Sequence, residues 1–532
     1  MVRTRFAPSP TGYLHVGGLR TALYSYLFAK KNNGQFLLRI EDTDQKRYVE
    51  GALENLLRTL EWAGLQNDEG PFLKDGKVEQ KGAVGPYIQS ERTELYREHA
   101  QLLIEKGAAY PCFCTSERLD EMRKKQESMK MAPMYDRLCL KLTPEEIQAK
   151  KDAGTPFVIR QKIPHGEKVR FTDLIRGVVV FETSNVDDQV LMKSDNFPTY
   201  HLANVVDDHL MEITHAIRGE EWLPSTPKHL LLYKSFGWLP PEYAHIPLLL
   251  NKDKSKLSKR QGDVSVEDYI QKGYTKEALI NFIVLLGWHP GKGVEEEIFS
   301  MQDLIQNFSL EKVHKAGAIF DVEKLNWFNF QWQKKGYHEK LEALAKNIDT
   351  SVQIQTSPKG EKQYLFADQK NANDFAKVRG DELIKICGTH LYREWLSDPR
   401  IAQKLITIEE KILRNPNEVE QHIKFYFGVT ECPKDLFMNA KMGVDDAMCS
   451  KALSESVKTL ESLENFDSMQ TLQENLLKLV TDLGIKNGQL LWPMRVALTG
   501  EQFSPGVFEL LWALGKEESL KRLNDAKVKF FS

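Results

Sequence analysis

Residues 8–18 read Pro-Ser-Pro-Thr-Gly-Tyr-Leu-His-Val-Gly-Gly, and they separate a short strand candidate at 4–7 from a helical pattern. Apolar residues recur at the spacing of one helix face from 19 to 27, and Asn-Asn-Gly at 32–34 is a typical helix end. The apolar run at 36–40 then predicts a second, buried strand. Strand, helix and strand with short connections form a βαβ unit, so this part of the chain predicts an α/β fold.

The same stretch has the composition of a nucleotide site. Doubly wound sheets bind ligands where a strand ends and the next helix begins. Gly17 and Gly18 lack Cβ atoms where a nucleotide would lie against the backbone, and the helix N-terminus attracts phosphate. His15 is placed to donate a hydrogen bond to a phosphoryl oxygen as negative charge builds. On these residues alone, a glycine-rich turn with a surface histidine is an equally good interpretation.

A second candidate is the basic stretch at 251–262. Five of the nine residues from 252 to 260 are lysine or arginine, and the stretch follows a strand candidate at 247–250. Lysines in a loop beside a nucleotide would stabilise the charge that moves to the leaving pyrophosphate. Taken alone, a solvated basic loop or a nucleic-acid contact patch is the simpler interpretation.

A third set of residues suits a zwitterionic acid ligand. A carboxylate such as Glu41 can hold an ammonium group, and arginines such as Arg5 and Arg218 bind carboxylates in bidentate geometry. Tyr200 and Asn204 lie in a polar segment that belongs with them. For each charged residue singly, a surface ion pair is the commoner fate.

The composition is that of an ordinary globular protein. The chain has 532 residues, with 72 Lys+Arg against 75 Asp+Glu, and its formal net charge is −3. No apolar run approaches the roughly 18–20 residues that span a bilayer, and the first residues lack the apolar core of a secretory signal. Six cysteines are too few for a disulfide scaffold in a chain of this length. A cytoplasmic protein without a membrane segment is therefore expected.

The three candidates, in their order and spacing, resemble the signatures of class I aminoacyl-tRNA synthetases. Residues 15–18 resemble the HIGH signature of that family, and residues 256–260 resemble its KMSKS signature. Other segments narrow the resemblance further. Residues 7–12 and 39–44 resemble the glutamyl/glutaminyl branch, and residues 85–92, 204–209 and 491–500 resemble its bacterial-type glutamyl members. The resemblance covers nearly the whole chain.

The resemblance implies an architecture. It implies a Rossmann-type doubly wound catalytic domain, split by an α+β insertion and followed by an all-α C-terminal half. The expected catalytic halves are residues 1–105 and 191–262, and the inserted acceptor-binding domain is 106–190. A stem-contact domain at 263–335 and a helical anticodon-binding domain at 336–532 would complete the chain.

The resemblance also implies a reaction. Glutamate attacks the α-phosphate of ATP, which binds with Mg²⁺, and the glutamyl group then passes to the terminal adenosine of tRNA(Glu). In such enzymes the first step usually requires bound tRNA, and no side chain acts as a nucleophile, so catalysis is positioning plus charge stabilisation.

The family roles fall on residues already singled out. The residues expected to bind ATP are Ser9, His15, Gly17, Gly18, Glu221, Leu249, Lys256, Leu257, Ser258, Lys259 and Arg260. The residues expected to bind glutamate are Arg5, Ala7, Ser9, Glu41, Tyr200, Asn204 and Arg218. Of these, Glu41 would bind the α-amino group and Arg218 the γ-carboxylate. The catalytic residues would be His15, Lys256 and Lys259.

One departure from the family pattern concerns zinc. Cys112, Cys114 and Cys139 match three positions of a family zinc module, but the fourth position is Lys141. Lysine is a poor zinc ligand, and a structural zinc site needs four Cys or His donors. The sequence therefore favours no bound metal, with three free thiols; a fourth ligand from elsewhere, such as His165, is the open alternative.

Other functions remain open. A short synthetase-like protein that glutamylates a modified tRNA base would share 1–260 but lack about 200 helical residues that follow here. A non-catalytic RNA-binding relative would tolerate loss of His15 or Lys259, and both are present. The sequence does not decide whether the enzyme also charges tRNA(Gln). A monomer is the family expectation.

Overall fold

The computed structural model describes residues 1–257, 264–291, 293–356, 362–428 and 432–531. They fall into two compact units, Met1–Trp332 and Gln333–Ser532. The strands of the first unit are β1 (Arg3–Phe6), β2 (Gln35–Leu38), β3 (Gly70–Lys74), β4 (Lys77–Lys81), β5 (Ala109–Cys112), β6 (Val158–Gln161), β7 (Lys168–Asp173), β8 (Gly177–Glu182), β9 (Val190–Met192), β10 (His215–Gly219), β11 (Glu242–Ile246), β12 (Leu249–Leu250) and β13 (Ala318–Ile319).

The helices of the first unit are α1 (Val16–Lys31), α2 (Ala52–Trp62), α3 (Thr93–Glu105), α4 (Ser116–Ser128), α5 (Pro144–Asp152), α6 (Tyr200–Leu210), α7 (Thr226–Phe236), α8 (Val266–Gln271), α9 (Lys276–Leu285) and α10 (Met301–Asn307), and α11 (Val322–Ile348) contains the boundary between the units. The second unit holds β14 (Gln353–Thr356), β15 (Lys362–Leu365), α12 (Gln369–Cys387), α13 (Ile401–Ile406), α14 (Glu409–Arg414), α15 (Val419–Phe427), α16 (Asp446–Glu461), α17 (Met469–Asp482), α18 (Asn487–Thr499), α19 (Val507–Leu514) and α20 (Lys516–Phe531).

The main sheet has six strands in the order β2-β1-β10-β11-β7-β8. The first four strands are parallel, and β11 is also parallel to β7. The predicted βαβ unit at the start of the chain is confirmed, because α1 connects the parallel neighbours β1 and β2. The α/β class that the first residues predict is therefore correct for this unit.

Helix α1 lies at the centre of the hydrophobic core of this unit. Leu19, Leu23 and Leu27 on its predicted apolar face are completely buried. The ring of Tyr24 packs edge-on against Phe308 with 5.0 Å between centroids. Ala278, Leu279, Phe282 and Ile283 of α9 are buried in the same cluster, so the helix that follows the predicted nucleotide loop packs in the core of the unit.

The inserted segment differs from the prediction in one respect. The sequence groups the strand-like runs at 156–160 and 177–181 in one module, but they lie in different sheets. Strand β6 pairs with β5 and β9 in a separate antiparallel sheet, whereas β7 and β8 extend the main sheet. The attachment is made by Asp173, which is the register partner of Tyr243 and accepts a hydrogen bond from the backbone of His245. Side-chain anchoring of this kind has no periodic signal in the sequence.

The second unit is helical, as predicted, with one exception. Leu453, Val457 and Leu460 on α16 and the apolar stripe of α19 are buried. The exception is the antiparallel hairpin of β14 and β15, in which Ile354 faces Tyr364. Exposure alternates along β15, and the one apolar residue of β14 stands between two glutamines; this two-residue period is that of a strand and not of a helix. Within the described residues, no helix combines the length and apolar character that crossing a membrane requires.

Candidate active site

The candidate site lies at the carboxyl ends of β1 and β10, which are parallel neighbours in the main sheet. From β1 the chain passes through α1 to β2 on one side, whereas β10 and β11 lie on the other side. Open α/β sheets bind their ligands at such a reversal of strand order. Sequence-predicted residues that are far apart in the chain therefore meet here.

Two adjoining cavities open at this place, one of about 880 Å³ and one of about 390 Å³. The larger cavity is lined by all the residues predicted to bind glutamate, Arg5, Ala7, Ser9, Glu41, Tyr200, Asn204 and Arg218. The smaller one is lined by the predicted ATP residues Leu249, Lys256 and Leu257. Both cavities are lined by the predicted ATP residues His15, Gly17, Gly18 and Glu221. A ligand with an amino-acid part and a nucleotide part would fit this pair of cavities.

His15 is the N-terminal cap of α1. Its backbone is extended, and its Nδ1 accepts a hydrogen bond of 2.9 Å from the backbone N–H of Gly17. An accepting Nδ1 places the proton of the neutral imidazole on Nε2, so the ring presents an N–H donor at that atom. Together with the positive end of α1, this donor favours a phosphate group in the cavity.

Backbone hydrogen bonds join the first signature stretch to the residues that follow the second. Residues 264–266 pair with residues 14–16, with 2.9 Å from the nitrogen of Val16 to the carbonyl oxygen at 264 and 2.9 Å from the nitrogen of Val266 to the carbonyl oxygen at 14. On the other side of 258–263, Lys256 and Leu257 line the smaller cavity. The predicted residues Ser258, Lys259 and Arg260 lie outside the described residues.

A tight hairpin holds Lys256 at this cavity. The backbone N–H of Leu257 donates to the carbonyl oxygen of Leu249 over 2.9 Å, and that of Asn251 donates to Ser255 over 2.9 Å. Strand β12 at the base of the hairpin is parallel to β13 and bonded to it. The side chain of Lys256 is exposed, as contact with a phosphate would require.

The larger cavity has a buried ionic network at its edge. Arg39 donates to Asp208 over 2.7 Å and to Glu41 over 3.1 Å, and Arg5 donates to Asp208 over 3.0 Å. Burial disfavours the charge of Arg5, but the carboxylate of Asp208 outweighs it and raises the pKa of Arg5. Burial raises the pKa of Glu41, and the guanidinium of Arg39 offsets part of this effect. A ligand ammonium beside Glu41 would favour its ionised form further.

The network continues to Asp207, which accepts hydrogen bonds of 2.8 Å from Arg92 and from the hydroxyl of Tyr96. The Nε of Arg39 lies 3.7 Å from the same carboxylate. Three arginines thus face three carboxylates, and the network as a whole is formally neutral. Its positive charges are therefore balanced before any ligand binds.

Arg218 is different, because its partners are neutral. It is 5% exposed and donates to the Tyr200 hydroxyl (3.1 Å), to Thr226 Oγ1 (2.9 Å), to His245 Nε2 (3.0 Å) and to His229 Nδ1 (3.3 Å). Among the described residues, no carboxylate forms an ion pair with it. A buried guanidinium without a counter-ion is costly, so this position favours binding of an anionic group.

The neighbouring histidines do not add positive charge. Burial lowers the pKa of His229 well below its usual value, and the charge of Arg218 lowers it further. Burial also lowers the pKa of His201 to about 3. For His245, burial lowers the pKa and the carboxylate of Asp173 offsets only part of the effect. At neutral pH, Arg218 is therefore the one positive charge in this group of side chains.

Two further predicted residues complete the wall of the cavity. Asn204 is almost completely buried, and nothing in the described part of the chain accepts a hydrogen bond from its Nδ2. The ring of Tyr200 lies 4.3 Å from that of Trp222 at a tilt of 37°. A carboxylate group in the cavity would satisfy the amide donor of Asn204.

No role was predicted for Asp208, His245 or Asp173. Asp208 forms an ion pair with Arg5 and His245 accepts from Arg218, whereas Asp173 contacts His245. A signal was present in two cases. Asp208 is a charged residue in a helix whose apolar positions are buried, and His245 interrupts an apolar strand. A polar side chain in a buried element needs a hydrogen-bond partner, which makes it a candidate for a functional site.

The three cysteines of the inserted segment come together. The sulfur atoms of Cys112, Cys114 and Cys139 lie within 4.8 Å of one another, and His165 is not among them. The hydroxyl of Tyr135 lies 3.4 Å from the sulfur of Cys112 and 3.3 Å from that of Cys114. Tyr135 therefore places a fourth polar atom beside the three thiols, in addition to the candidates Lys141 and His165; whether this group binds zinc stays a prediction.

Comparison with known proteins identifies the family. Residues 1–327 match the family described as "tRNA synthetases class I (E and Q), catalytic domain". The chain belongs to this family of class I synthetases. Residues 382–527 match a second family, described as "Anticodon binding domain". A class I aminoacyl-tRNA synthetase with a helical C-terminal half, as the sequence predicted, is thereby confirmed.

Relatives within the family are similar over nearly their whole length. The glutamate–tRNA ligase of Chloroherpeton thalassium is 48% identical over 531 residues, which are 99% of this chain and 97% of the relative. That of Chlorobium luteolum is 47% identical over 528 residues, 98% of this chain and 96% of the relative. The crystal structure of a glutamate tRNA ligase from Elizabethkingia meningosepticum in complex with its amino acid is 34% identical, with a TM-score of 0.74 and 99% of each chain covered.

Proposed function

We propose that the chain is a glutamate–tRNA ligase, which activates L-glutamate with ATP and transfers it to the 3′-terminal adenosine of tRNA(Glu). One observation carries the choice of amino acid. Arg218 is a buried guanidinium whose described partners are all neutral, and it lines the same cavity as Glu41. An amino acid with a second carboxylate supplies the missing negative charge, whereas an amide or an apolar side chain does not.

The binding geometry follows from these charges. The γ-carboxylate of glutamate binds Arg218, with Tyr200 and Arg5 assisting, and the α-ammonium binds Glu41. The α-carboxylate is then directed to the adjoining cavity, where ATP lies against Gly17, Gly18 and the N-terminus of α1. We expect ATP to arrive as its Mg²⁺ complex.

The first step is a displacement at phosphorus. An oxygen of the α-carboxylate forms a bond to the α-phosphorus of ATP, and the bond between this phosphorus and the pyrophosphate oxygen breaks. The Nε2–H of His15 stabilises charge on the phosphoryl group, and the lysines at 256 and 259 stabilise the leaving pyrophosphate. The second step moves the glutamyl group from AMP to a hydroxyl of the terminal adenosine, which loses its proton.

We also propose roles for the other regions. The inserted segment at 106–190 and the region at 263–335 bind the acceptor end and stem of the tRNA. The helical region at 336–532, which contains the match to an anticodon-binding family, binds the anticodon. We propose that the enzyme works as a monomer in the cytoplasm.

A charging assay tests the proposal. Purified tRNA(Glu) and tRNA(Gln) are each incubated with the protein, ATP and either glutamate or glutamine, and ATP–pyrophosphate exchange is measured with and without tRNA. Glutamate attached to tRNA(Glu) is the expected product. Attachment of glutamine, or a complete absence of charging by protein that binds tRNA, would contradict the proposal. Glutamate on both tRNAs would identify a non-discriminating enzyme.

A further inference from the structure

We propose that Asp173 and His245 are positioning residues for amino-acid selectivity, because together they hold the guanidinium of Arg218 in one orientation. The inference rests on the proposed function, in which Arg218 binds the side-chain carboxylate of glutamate. It assigns a role to two residues of β7 and β11 that no substrate would touch directly.

The three side chains are aligned by the sheet. Arg218 on β10 and His245 on β11 are register partners. Asp173 lies on β7, the next strand of the same sheet, where its register partner on β11 is Tyr243. The Nδ1 of His245 lies 2.6 Å from Oδ2 of Asp173, and its Nε2 lies 3.0 Å from Nε of Arg218. Asp173 and His245 side chains are both completely shielded from solvent. The contact is therefore a fixed part of the sheet.

The chemistry of the contact determines where each proton lies. Burial alone would raise the pKa of Asp173, but hydrogen bonds from His245 and from the backbone of Arg176 and Ile175 lower it. Asp173 is thus an ionised acceptor, and it keeps the proton of the imidazole on Nδ1. The lone pair of Nε2 then faces Arg218 and accepts its Nε–H.

The opposite edge of the guanidinium is held in the same way. His229 Nδ1 lies 3.3 Å from Nη1 of Arg218, and the other ring nitrogen of His229 lies 3.0 Å from Nδ1 of His201. Thr226 accepts from Nη2. Each nitrogen of the guanidinium therefore has a neutral acceptor, which fixes the plane of the group without cancelling its charge. Planar, bidentate binding of a carboxylate depends on both properties.

This arrangement explains discrimination against an amide. The side chain of glutamine would place N–H donors against the N–H donors of Arg218 and would bring no negative charge. A guanidinium free to rotate could turn away from such a clash, whereas one held on both edges cannot. A site built around fixed polar partners rejects the wrong side chain strongly because its groups are left unpaired.

Asp173→Asn tests the inference with a change of one atom. Oδ1 keeps its contacts with the backbone N–H groups of Ile175 (3.0 Å), Arg176 (2.8 Å) and His245 (3.4 Å), so the asparagine amide takes the position of Oδ2. The amide gives up the 3.2 Å bond that Oδ2 accepts from the backbone of His245. The amide donates to Nδ1 of His245 and moves the imidazole proton to Nε2. Two N–H donors then face each other between His245 and Arg218, and the guanidinium must move.

The matched control is Asp188→Asn. Asp188 is as buried as Asp173 and accepts from the hydroxyl of Tyr110 over 2.6 Å, but it lines neither cavity. Dissociation constants for glutamate, glutamine and ATP are measured by calorimetry on the full-length wild type and both variants, together with melting temperatures. We expect Asp173→Asn to weaken glutamate binding by about 10- to 100-fold, the range for a lost hydrogen bond to a charged group, with ATP binding unchanged.

We expect the preference for glutamate over glutamine to fall in Asp173→Asn and to be unchanged in Asp188→Asn. A folded Asp173→Asn that binds glutamate like the wild type overturns the inference while the proposed function stands. A wild type that binds ATP but no glutamate overturns the proposed function and the inference with it. If Asp173→Asn does not fold, His245→Gln and His245→Leu replace it. Glutamine keeps an acceptor for the Nε–H of Arg218, whereas leucine does not. Equal glutamate affinity in these two variants overturns the inference.

Discussion

Replacement of Arg218 by alanine is the perturbation with the most direct consequence for the choice of amino acid. In the wild type, Arg218 has four neutral hydrogen-bond partners and is 5% exposed. Its loss leaves the γ-carboxylate of bound glutamate in a buried place without a charged partner. It also removes the N–H groups that donate to Thr226 and His245.

The size of the expected loss in kcat/KM for glutamate follows from the removal of one partner of a buried charge pair. Such a truncation costs about 2–5 kcal/mol. Since about 1.4 kcal/mol is a factor of ten, kcat/KM for glutamate should fall by about 30-fold to a few thousand-fold. The KM for ATP should change little, because Arg218 lines only the larger cavity.

The assay is glutamate-dependent ATP–pyrophosphate exchange at saturating ATP and tRNA(Glu). Arg3→Ala is the control, because Arg3 is also almost completely buried and donates to the backbone carbonyl oxygen of Met211 but lines neither cavity. We expect the control to lose stability and to keep kcat/KM for glutamate within about threefold. The reasoning is refuted if Arg218→Ala lowers kcat/KM for glutamate less than about fivefold, or if the KM for ATP rises by the same factor.

Three further predictions concern other parts of the chain. Lys259→Ala should lower kcat by about 10²–10³-fold with little change in KM, as expected for a group that acts mainly in the transition state; steady-state kinetics with unchanged kcat and a raised KM would contradict this role. Protein purified without chelators should contain about one zinc per chain by elemental analysis, since four donors converge at Cys112, Cys114, Tyr135 and Cys139; equal zinc content in Cys139→Ser would show that the metal binds elsewhere. His201, whose pKa is lowered to about 3 by burial, stays neutral in the folded state while the unfolded chain takes up a proton below about pH 6.5. The contribution of neutral His201 to the free energy of unfolding is therefore complete above about pH 6.5 and is lost progressively as the pH falls. Denaturant titrations should find that His201→Gln loses less stability than the wild type between pH 7.5 and pH 5. A larger loss in the variant would refute the assignment.

The start of the chain was the most predictable part, because its information is local. The apolar spacing of α1, the breaker residues before it and the apolar run after it suffice to predict β1, α1 and β2. Polar residues at the ends of such elements converge by the topology of a parallel sheet. Topology therefore predicts that Arg5 and Glu41 lie close together, whereas Arg218 was assigned to the same pocket by the family resemblance.

Features that depend on pairing across strands were not predictable. Asp173 and His245 contact each other only because β7 lies beside β11, and the sequence assigned β7 to the inserted module. The hydroxyl of Tyr135 reaches the cysteine sulfurs through the local path of the chain, which a search for Cys and His spacing does not consider. The ion pairs of Asp208 with Arg5 and Arg39 likewise join three different elements.

We propose that the stretches at 15–18 and 256–260 enclose ATP beside a pocket in which Arg218 selects an acidic side chain. The most direct test is a crystal structure with a non-hydrolysable analogue of glutamyl-adenylate. The account predicts a guanidinium nitrogen of Arg218 within about 3 Å of the γ-carboxylate and Nε2 of His15 within about 3 Å of the group that replaces the phosphate. An analogue bound with its γ-carboxylate away from Arg218, or with its phosphate group away from residues 15–18, would contradict it.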